Sequence, residues 1–533
     1  MNLTAKQSTK NQLGQYFTPE AVADFMIGLA DISDQSEILE PSCGEGIFLE
    51  LLQKKGFTRL TACEIDNMLA SSFPFVRYES FVSAKIAGTF DLVIGNPPYI
   101  RWKNLKNDLK RELAENPLWN RYCNSLCDYL HIFIIKSIEL LNDSGQLIFI
   151  CPEYWMNTTH SLSLRNYMIA NGCFEEIYHF SETPLFNRVT VSIIIFKYVK
   201  GKRKADKIGV SKFRAGQKPT AGILDGLKKR TPLDGAEYLE VAQFKTGERW
   251  ILQTDAVREK LKLIEIICKK NTQNRPFDAV SDEKREWHTI GDFCDIGNGL
   301  VSGLDRAFQL NGDSLNDEEK TATMDVVKAK DLNPFRTGNI TKYIYIRECL
   351  QEDALKEKYP HFFHHFRQYK TELNRRYRYN RKINYWEWVF PRNFKLFSRD
   401  EKRILVPCKE RISNKNHFRF SLACKGIFPT QDVTGILKKA NTRESIEYIL
   451  AYLNSPCIFD WLKCNGIVKG NIVEFSEKPV ASIPFKPVNW DNPEEVALHD
   501  MITALTARYI DTGEPSIAGR IHQLLNTLIG ISK

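Results

Sequence analysis

Short apolar runs alternate with stretches of helical spacing over the first 200 residues. Six runs rich in apolar and β-branched residues predict strands: "EIL" (37–39), "RLTAC" (59–63), "FDLVIG" (90–95), "QLIFIC" (146–151), "EEIYHF" (175–180) and "VSIIIFKYV" (191–199). Between them, "GIFLELLQKKG" (46–56) and "LHIFIIKSIELLNDSG" (130–145) carry apolar residues at helical spacing and end at a glycine. This alternation predicts an α/β domain around a mostly parallel sheet.

The pattern changes after Lys200, where the chain becomes basic and rich in glycine. The segment 200–249 opens with "KGKRKADKIGVSKFRAGQKP" and predicts a connection or a peripheral hairpin. Because 533 residues are too many for a single core, a second domain is expected. We therefore predict an α/β domain over residues 1–249 and a C-terminal domain of mixed α+β type over residues 250–533.

Composition narrows the class of protein. Hydrophobic residues make up 43% of the chain and charged residues 26%, as in soluble globular proteins. The N-terminus "MNLTAKQSTKNQL" lacks an apolar segment, and runs such as "VSIIIF" are too short to span a bilayer, so we expect a cytoplasmic protein without membrane association. The thirteen cysteines contain no CxxC pair, and we expect neither a disulfide framework nor a metal site.

The stretch "ILEPSCGEGIFLELL" (38–52) predicts a strand, a tight turn with Gly44 and Gly46, and a helix. Such a turn lets the backbone approach a ligand at the carboxyl end of the first strand. The acidic residues near the predicted strand ends are Glu40, Glu45, Glu64, Asp66 and Glu79. They would repel a pyrophosphate and attract a ligand with a sulfonium and an ammonium group, which favours S-adenosylmethionine over a dinucleotide. Glu64 stands 18 residues beyond Gly46, close to the spacing at which an acid accepts ribose hydroxyls.

Two consecutive prolines follow the predicted strand "FDLVIG". In Asn96-Pro97-Pro98-Tyr99 they fix the backbone and remove two N–H donors. The Pro97 carbonyl and the Asn96 amide oxygen are then left as acceptors for a planar amino group, whose growing positive charge they would stabilise during attack. Tyr99 offers a ring on which a base can stack. For a Pro-Pro pair taken alone, a structural turn is the alternative.

Most of the net positive charge lies in one stretch of the C-terminal half. Residues 366–403 hold twelve basic residues and four acidic ones, in a chain whose net charge is +9. Aromatic residues are interleaved with the basic ones, which suits a polyanion with stackable bases. A solvated basic face is the alternative for this stretch considered alone.

Five motifs occur in the order found in one enzyme family: "GQYFTP" (14–19), "EPSCGEGIF" (40–48), "CEID" (63–66), "NPPY" (96–99) and "PLFNRVTVSIIIF" (184–196). In these motifs the chain resembles the gamma-class, TaqI-like DNA adenine-N6 methyltransferases of type II restriction-modification systems, most strongly over residues 12–200. The resemblance implies a Rossmann-like, S-adenosylmethionine-binding catalytic domain over 1–249 and a DNA target-recognition domain over 250–533. It also implies methyl transfer to N6 of a flipped-out adenine in duplex DNA.

The resemblance implies roles for individual residues as well. At the cofactor it places Tyr16, Thr18 and Pro19 at the methionine end, Glu40, Ser42 and Gly44 in the turn, and Glu64 with Ile65 at the ribose. The family usually has Asp near the cofactor's adenine, whereas "YESF" offers Glu79. At the target base it places the catalytic residues Asn96, Pro97, Tyr99 and Phe186, with Phe186 sandwiching the base opposite Tyr99.

The resemblance strengthens the interpretation of the basic stretch as a DNA contact. The residues predicted to bind DNA there are Arg375, Arg376, Arg378, Arg381, Lys382, Tyr385 and Trp386. The segment 100–121 that follows Tyr99 is also basic and is predicted to be a mobile loop that closes on DNA.

A stand-alone modification enzyme is expected, acting as a monomer and protecting host DNA from a separate cognate restriction endonuclease, because no room for a nuclease precedes Gly14. Two other classes of function remain open. The NPPY motif also serves enzymes that methylate RNA or a protein glutamine, and the chain could instead be a non-catalytic DNA specificity protein. The recognition sequence cannot be derived from the residues.

Overall fold

The structure is a computed structural model that describes residues 17–69, 73–181, 183–186, 192–201, 206–269, 287–310, 315–348, 350–412, 415–469 and 471–530. The chain divides into two compact units, residues 1–259 and 260–533. The division falls within the helix Asp255–Ile267, shortly after the boundary predicted at residue 249.

The first unit is built on one large sheet. Its strands are Ile38–Glu40 (β1), Leu60–Cys63 (β2), Val76–Arg77 (β3), Phe90–Gly95 (β4), Leu141–Pro152 (β5), Gly172–His179 (β6), Ile193–Lys200 (β7), Lys207–Phe213 (β8) and Ala236–Ala242 (β9). They lie in the order β3-β2-β1-β4-β5-β7-β6-β8-β9. The pairs from β3 to β5 and the pair β6-β8 are parallel, whereas β7 is antiparallel to both neighbours and β9 is antiparallel to β8. The sheet is therefore mixed, with helices around it, which confirms the predicted α/β class.

Helices cover both faces of this sheet. They are Glu20–Ile27, Ile47–Lys54, Asn107–Glu115, Pro117–Tyr122, Leu130–Leu140, Leu162–Asn171 and Ala221–Lys228. Successive strand residues point to opposite faces, so Val93 and Leu147 belong to one apolar cluster, and Leu92 and Ile148 to another.

Two segments differ from their sequence-based predictions. The helix predicted over 130–145 ends at Leu140, because "NDSG" is made of turn-forming residues and belongs to β5, where Ser144 has a φ of 66°. The segment 100–121, predicted to be a mobile loop, contains the helices Asn107–Glu115 and Pro117–Tyr122. Leu109, Leu113 and Trp119 anchor these helices in the core.

Within its described residues, the second unit has three smaller sheets. Its strands are Cys294–Asn298 (β10), Thr323–Val327 (β11), Phe335–Arg336 (β12), Thr341–Ile344 (β13), Arg403–Pro407 (β14), Lys409–Arg411 (β15), Ser421–Ala423 (β16), Ile427–Pro429 (β17), Val433–Lys438 (β18), Ile467–Lys469 (β19) and Ile472–Glu474 (β20). The sheets have the orders β10-β18-β14-β16-β12, β13-β11-β17 and β15-β20-β19. The helices are Ile290–Phe293, Asp305–Phe308, Asp317–Thr321, Glu352–Lys358, Pro360–Arg375, Phe394–Phe397, Ile446–Leu453, Pro456–Asn465, Glu477–Ala481, Pro493–Thr512 and Pro515–Ile529.

Strand order in the first unit marks where a ligand can bind. β1 lies between β2 and β4, so the chain runs outward to one side through β2 and β3 and then returns to the other side at β4. Ligands of open α/β sheets bind at such a switch point, outside the carboxyl ends of the strands. The glycine turn follows β1 and NPPY follows β4, so both motifs lie at this point.

Candidate active site at the ends of strands β1 and β4

A cleft of about 670 Å³, including its open mouth, lies at the switch point. Its lining combines the turn after β1, the ends of β2 and β4, and two helices. The residues that line it are Phe17, Pro41, Ser42, Gly44, Glu64, Ile65, Ser80, Phe81, Asn96, Pro98, Ile100, Leu109, Tyr129 and Phe133. Five residues predicted to bind cofactor or substrate are therefore brought together: Ser42, Gly44, Glu64, Ile65 and Asn96.

The turn after β1 depends on its two glycines. Gly44 and Gly46 have φ values of 56° and 89°, a region that side chains with a Cβ rarely adopt. A Cβ on Gly46 would lie 2.7 Å from the Phe73 ring, so close packing also excludes a larger residue there. The helix Ile47–Lys54 begins directly after Gly46, and its first N–H groups face the turn.

Glu64 connects the ends of β1 and β2. Its carboxylate accepts hydrogen bonds from the backbone N–H of Gly44 and of Asp66, both at 2.8 Å. Burial raises the pKa of Glu64, and the backbone hydrogen bonds oppose that shift. Each carboxylate oxygen retains a lone pair, so Glu64 can hold the turn and still accept a ligand hydroxyl.

Glu40 does not line the cleft. Its side chain is 1% exposed and lies beside Gly95, and its Oε2 atom is buried without a hydrogen-bond partner among the described residues. Burial, and then the negative charge of Glu64, raise the pKa of Glu40 well above its usual range. A cation bound in the cleft would stabilise the charged form of this buried carboxyl, which lies near a second carboxylate.

Asn96 is held at the end of β4 by contacts to its side chain and its backbone. Its Nδ2 atom donates to Thr18 Oγ1 at 3.1 Å, and its backbone carbonyl accepts from Ser42 Oγ at 3.3 Å. The Tyr99 hydroxyl lies within hydrogen-bond distance of Asn96 Oδ1 and, at 2.8 Å, of the Ile150 carbonyl on β5. A hydroxyl has one proton, so Tyr99 donates to one of these oxygens at a time.

This arrangement differs from the prediction in one respect. The Asn96 amide oxygen was expected to stand free, yet the Tyr99 hydroxyl lies against it, because Tyr99 is three residues further along a backbone that the prolines keep fixed. Pro97 is buried and Pro98 lines the cleft.

The segment "YESF" lines the cleft with its last two residues. Ser80 and Phe81 are part of the wall, whereas Glu79 is paired with Arg77 at 2.6 Å and is not among the lining residues. The wall is fixed by Lys136, whose ammonium donates to the carbonyls of Phe81, Val82 and Ala84 at 2.5–3.1 Å.

The other residues predicted for the site lie around the cleft or outside the described residues. Thr18 is buried and contacts Asn96 as described above. Pro19 precedes the helix Glu20–Ile27, and its carbonyl accepts from the N–H of Val22 at 2.9 Å. Tyr16 lies outside the described residues.

Phe186 does not line the cleft. It is 4% exposed and packs into the apolar cluster that contains Leu92 and Ile148, whereas Tyr99 packs against the cluster on the other face of the sheet. The predicted sandwich of a base between Tyr99 and Phe186 is therefore not formed in this conformation.

Three of the seven residues predicted to bind DNA are structural. Tyr385 and Trp386 are 5% and 3% exposed and lie in the core of the second unit. Arg376 directs its guanidinium inward, to the carbonyls of Ser302, Tyr385 and Glu387. These three predictions are corrected, because buried rings and a guanidinium bonded to carbonyls cannot meet a duplex. Arg375, Arg381 and Lys382 are exposed and Arg378 is partly exposed, so these four remain available.

Comparison with known proteins places this site in a family. The family model "Eco57I restriction-modification methylase" matches residues 42–186, and the model "N-6 DNA Methylase" matches residues 1–68. The chain is 45% identical over 522 residues to the type II methyltransferase M.HindII of Haemophilus influenzae and 42% identical over 525 residues to M.HincII of the same species. Each alignment covers 98% of both chains. The chain belongs to the type II methyltransferases. It is a DNA methyltransferase of a restriction-modification system.

A solved structure resembles the methyltransferase over nearly its full length. The type IIL restriction-modification enzyme MmeI, solved in complex with DNA, matches it with a TM-score of 0.55 and 12% identity, covering 96% of this chain and 73% of that one. At this level of identity, the similarity concerns the fold alone.

Sequence reasoning missed several cleft residues of the methyltransferase. Leu109, Tyr129 and Phe133 come from helices or helix starts that lie far along the chain from the glycine turn, and their apolar character gave no signal. Phe17 could have been found, since it stands inside the motif "GQYFTP". Within the described ranges, no group of three or more His, Cys, Asp or Glu residues could hold a metal ion, and no helix is long and apolar enough to cross a membrane.

Proposed function

We propose that this methyltransferase transfers the methyl group of S-adenosylmethionine to N6 of an adenine that is turned out of duplex DNA. The observation that carries the proposal is the shared cleft: Asn96 at the end of β4 lines the same space as Gly44 and Glu64 at the ends of β1 and β2. A group held by Asn96 therefore lies beside a ligand held by the glycine turn.

The residues present fit S-adenosylmethionine. Glu64 retains acceptor capacity for ribose hydroxyls, and Gly44 leaves the backbone open to close approach. The unpartnered Oε2 of Glu40 lies beside the charge of Glu64, a combination that favours a cationic ligand over a pyrophosphate. When bound, the cofactor supplies a methyl group on a sulfonium, which is an electrophile.

The substrate is an amino group that needs acceptors. Tyr99 can direct its proton to the Ile150 carbonyl at 2.8 Å, which leaves the Asn96 amide oxygen to an incoming N–H. With the Pro97 carbonyl as the second acceptor, the nitrogen is favoured in a tetrahedral form and its growing positive charge is stabilised. This electrostatic preorganisation needs no strong general base.

Adenine in DNA is the target that the comparisons favour, because the family model over residues 1–68 describes N-6 DNA methylases. An adenine inside a duplex cannot reach a cleft at the edge of a sheet, so the base must leave the stack, at a cost of a few kcal/mol. Tyr99 is partly exposed and offers a ring to the displaced base. In the cell, such methylation would protect host DNA from a separate cognate endonuclease.

Sequencing of methylated bases in a host that lacks adenine methylation tests the proposal. Expression of the wild-type chain should add N6-methyladenine at one recognition sequence, and Asn96→Ala should abolish it, because the amide oxygen is lost. Asn489→Ala serves as the matched control, since Asn489 is exposed and is not among the residues that line the cleft. Methylation that survives Asn96→Ala, or that falls on cytosine alone, would overturn the proposal.

A further inference from the structure

Two tyrosines of the second unit are exposed on its surface. Tyr377 is 71% exposed and Tyr379 is 49% exposed, in a unit whose other large aromatic residues are mostly buried. Their rings pack edge to face with centroids 4.6 Å apart. We refer to residues 377–382 as the tyrosine turn.

The backbone of the tyrosine turn is strained. The Arg381 N–H donates to the Arg378 carbonyl at 2.9 Å, and the two residues between them, Tyr379 and Asn380, have φ values of 51° and 59°. This is the geometry of a type I′ turn, whose central positions favour Asn and Gly. A bulky tyrosine at such a position is an outlier of the kind that clusters at ligand-binding sites.

The tyrosine turn is fixed to the rest of the second unit. Arg376, directly before the turn, donates to the carbonyls of Tyr385 at 3.2 Å and of Glu387 beyond it, which closes the loop at its base. The Arg381 guanidinium lies 4.3 Å from the centre of the Phe390 ring. The two exposed rings are therefore presented by a preorganised loop.

The surroundings of the turn are positively charged. No acidic residue occurs between Glu372 and Glu387, whereas Arg375, Arg378, Arg381 and Lys382 occur there in addition to the internal Arg376. Among the described residues, none of these four forms an ion pair with a carboxylate. The two exposed rings are therefore surrounded by positive charges that no nearby carboxylate balances. Aromatic rings beside positive charges suit a nucleic acid, which offers bases and phosphates.

We propose that the tyrosine turn is a DNA-contacting tip of the methyltransferase. The rings of Tyr377 and Tyr379 pack against sugars and base edges of the duplex, and Arg378, Arg381 and Lys382 neutralise phosphates beside them. The inference rests on the proposed function, because duplex DNA is the partner to which it assigns the tip. Tyr377 and Tyr379 then replace Tyr385 and Trp386 as the aromatic residues that contact DNA.

Fluorescence anisotropy with the full-length protein and a short labelled duplex of arbitrary sequence tests the tip, with the salt concentration varied. The double variant Tyr377→Ala/Tyr379→Ala should bind at least about fivefold more weakly, because the two rings no longer pack against sugars and base edges. Its salt dependence should be unchanged. Tyr377→Phe/Tyr379→Phe should bind like wild type, because the rings remain. Thermal unfolding of both variants should match wild type, since the rings are exposed.

The charged part of the tip has a separate readout. Lys382→Ala should lower the slope of log K against log salt by about 0.9, the value for one phosphate contact. Lys356→Ala, an exposed lysine on the helix Glu352–Lys358, is the matched control and should leave the slope unchanged. Wild-type affinity in the double alanine variant, or equal losses in the alanine and phenylalanine variants, would overturn the proposal. Methylation by the wild-type protein is measured separately. If the double alanine variant loses affinity for the duplex and the wild-type protein does not methylate DNA, the proposed function is refuted and the DNA-contacting tip is supported.

Discussion

At the scale of single residues, the position of Asn96 depends on residues far apart in the chain. Thr18 precedes the first described helix, Ser42 belongs to the glycine turn, and Ile150 lies near the end of β5, yet all three contact Asn96 or the Tyr99 hydroxyl beside it. A change at Thr18 is therefore expected to disturb Asn96, which lines the cleft.

We expect Glu40 to make cofactor binding sensitive to pH. In the free protein its pKa is raised well above 4.5, so a proton stays on the carboxyl into a higher pH range. A cation bound nearby stabilises the carboxylate, and binding should release that proton. Affinity for S-adenosylmethionine should then increase with pH, by up to about tenfold per pH unit, until the pH exceeds the raised pKa.

Isothermal titration calorimetry in two buffers of different ionisation enthalpy measures this proton directly. Glu40→Gln should abolish the proton release and flatten the pH dependence. Glu45→Gln removes an exposed acid from the same turn and should preserve both. Identical heats in the two buffers for the wild-type protein would contradict the assignment to Glu40.

The sequence predicted which residues lie at the site, but it did not predict which residues they contact. Glu64 was predicted from its spacing as a ribose acceptor, but its two backbone hydrogen bonds depend on how the ends of β1 and β2 meet. Likewise, Arg376 and Arg375 are neighbours of identical chemistry, and only the packing shows that one is internal. Burial is set by contacts distant in sequence, which composition does not record.

At the scale of elements, the cleft wall depends on a single cation. Lys136 projects from the helix Leu130–Leu140 and donates to three carbonyls of residues 81–84, which hold Phe81 in the wall. Burial lowers the pKa of Lys136. The helix thereby supports a loop whose own backbone hydrogen bond, from the Ala84 N–H to the Ser80 carbonyl at 2.9 Å, closes a single turn.

Replacement of Lys136 by Met should loosen this wall. Three carbonyls lose their donor, which costs about 2 kcal/mol of unfolding free energy and lowers Tm by several degrees. Affinity for S-adenosylmethionine should fall about tenfold, because Phe81 is no longer fixed. Lys85→Met, at an exposed lysine of the same loop, is the control for thermal unfolding and titration calorimetry. Equal Tm and Kd values for the two variants would show that Lys136 does not support the wall.

The elements themselves were largely predictable. Strands β1, β2, β4, β6 and β7 lie within one to three residues of the predicted runs, because buried strands are apolar and are bounded by turn residues. The β3 strand has two residues and left no periodic signal, and β5 begins five residues early through the irregular pairing of Phe90 with Leu141. Short strands and register shifts are set by neighbouring strands.

At the scale of the whole molecule, the two units differ in the charged residues that they carry. The first holds the cleft lined by Glu64 and Asn96 at the switch point of its sheet, and the second carries most of the excess positive charge, in residues 366–403. The second unit was the least predictable part. Its three small sheets join strands distant in the chain, as in the parallel pairing of β11 with β17.

We expect the cleft to bring a bound methyl donor next to an adenine amino group. The most direct test incubates the purified protein with S-adenosylmethionine labelled in its methyl group and with unmethylated duplex DNA, then identifies the labelled nucleoside by chromatography and mass spectrometry. Label should enter the DNA and be recovered as N6-methyladenine. Label recovered only as a methylated cytosine, or only in RNA or protein supplied to the same reaction, would contradict the account.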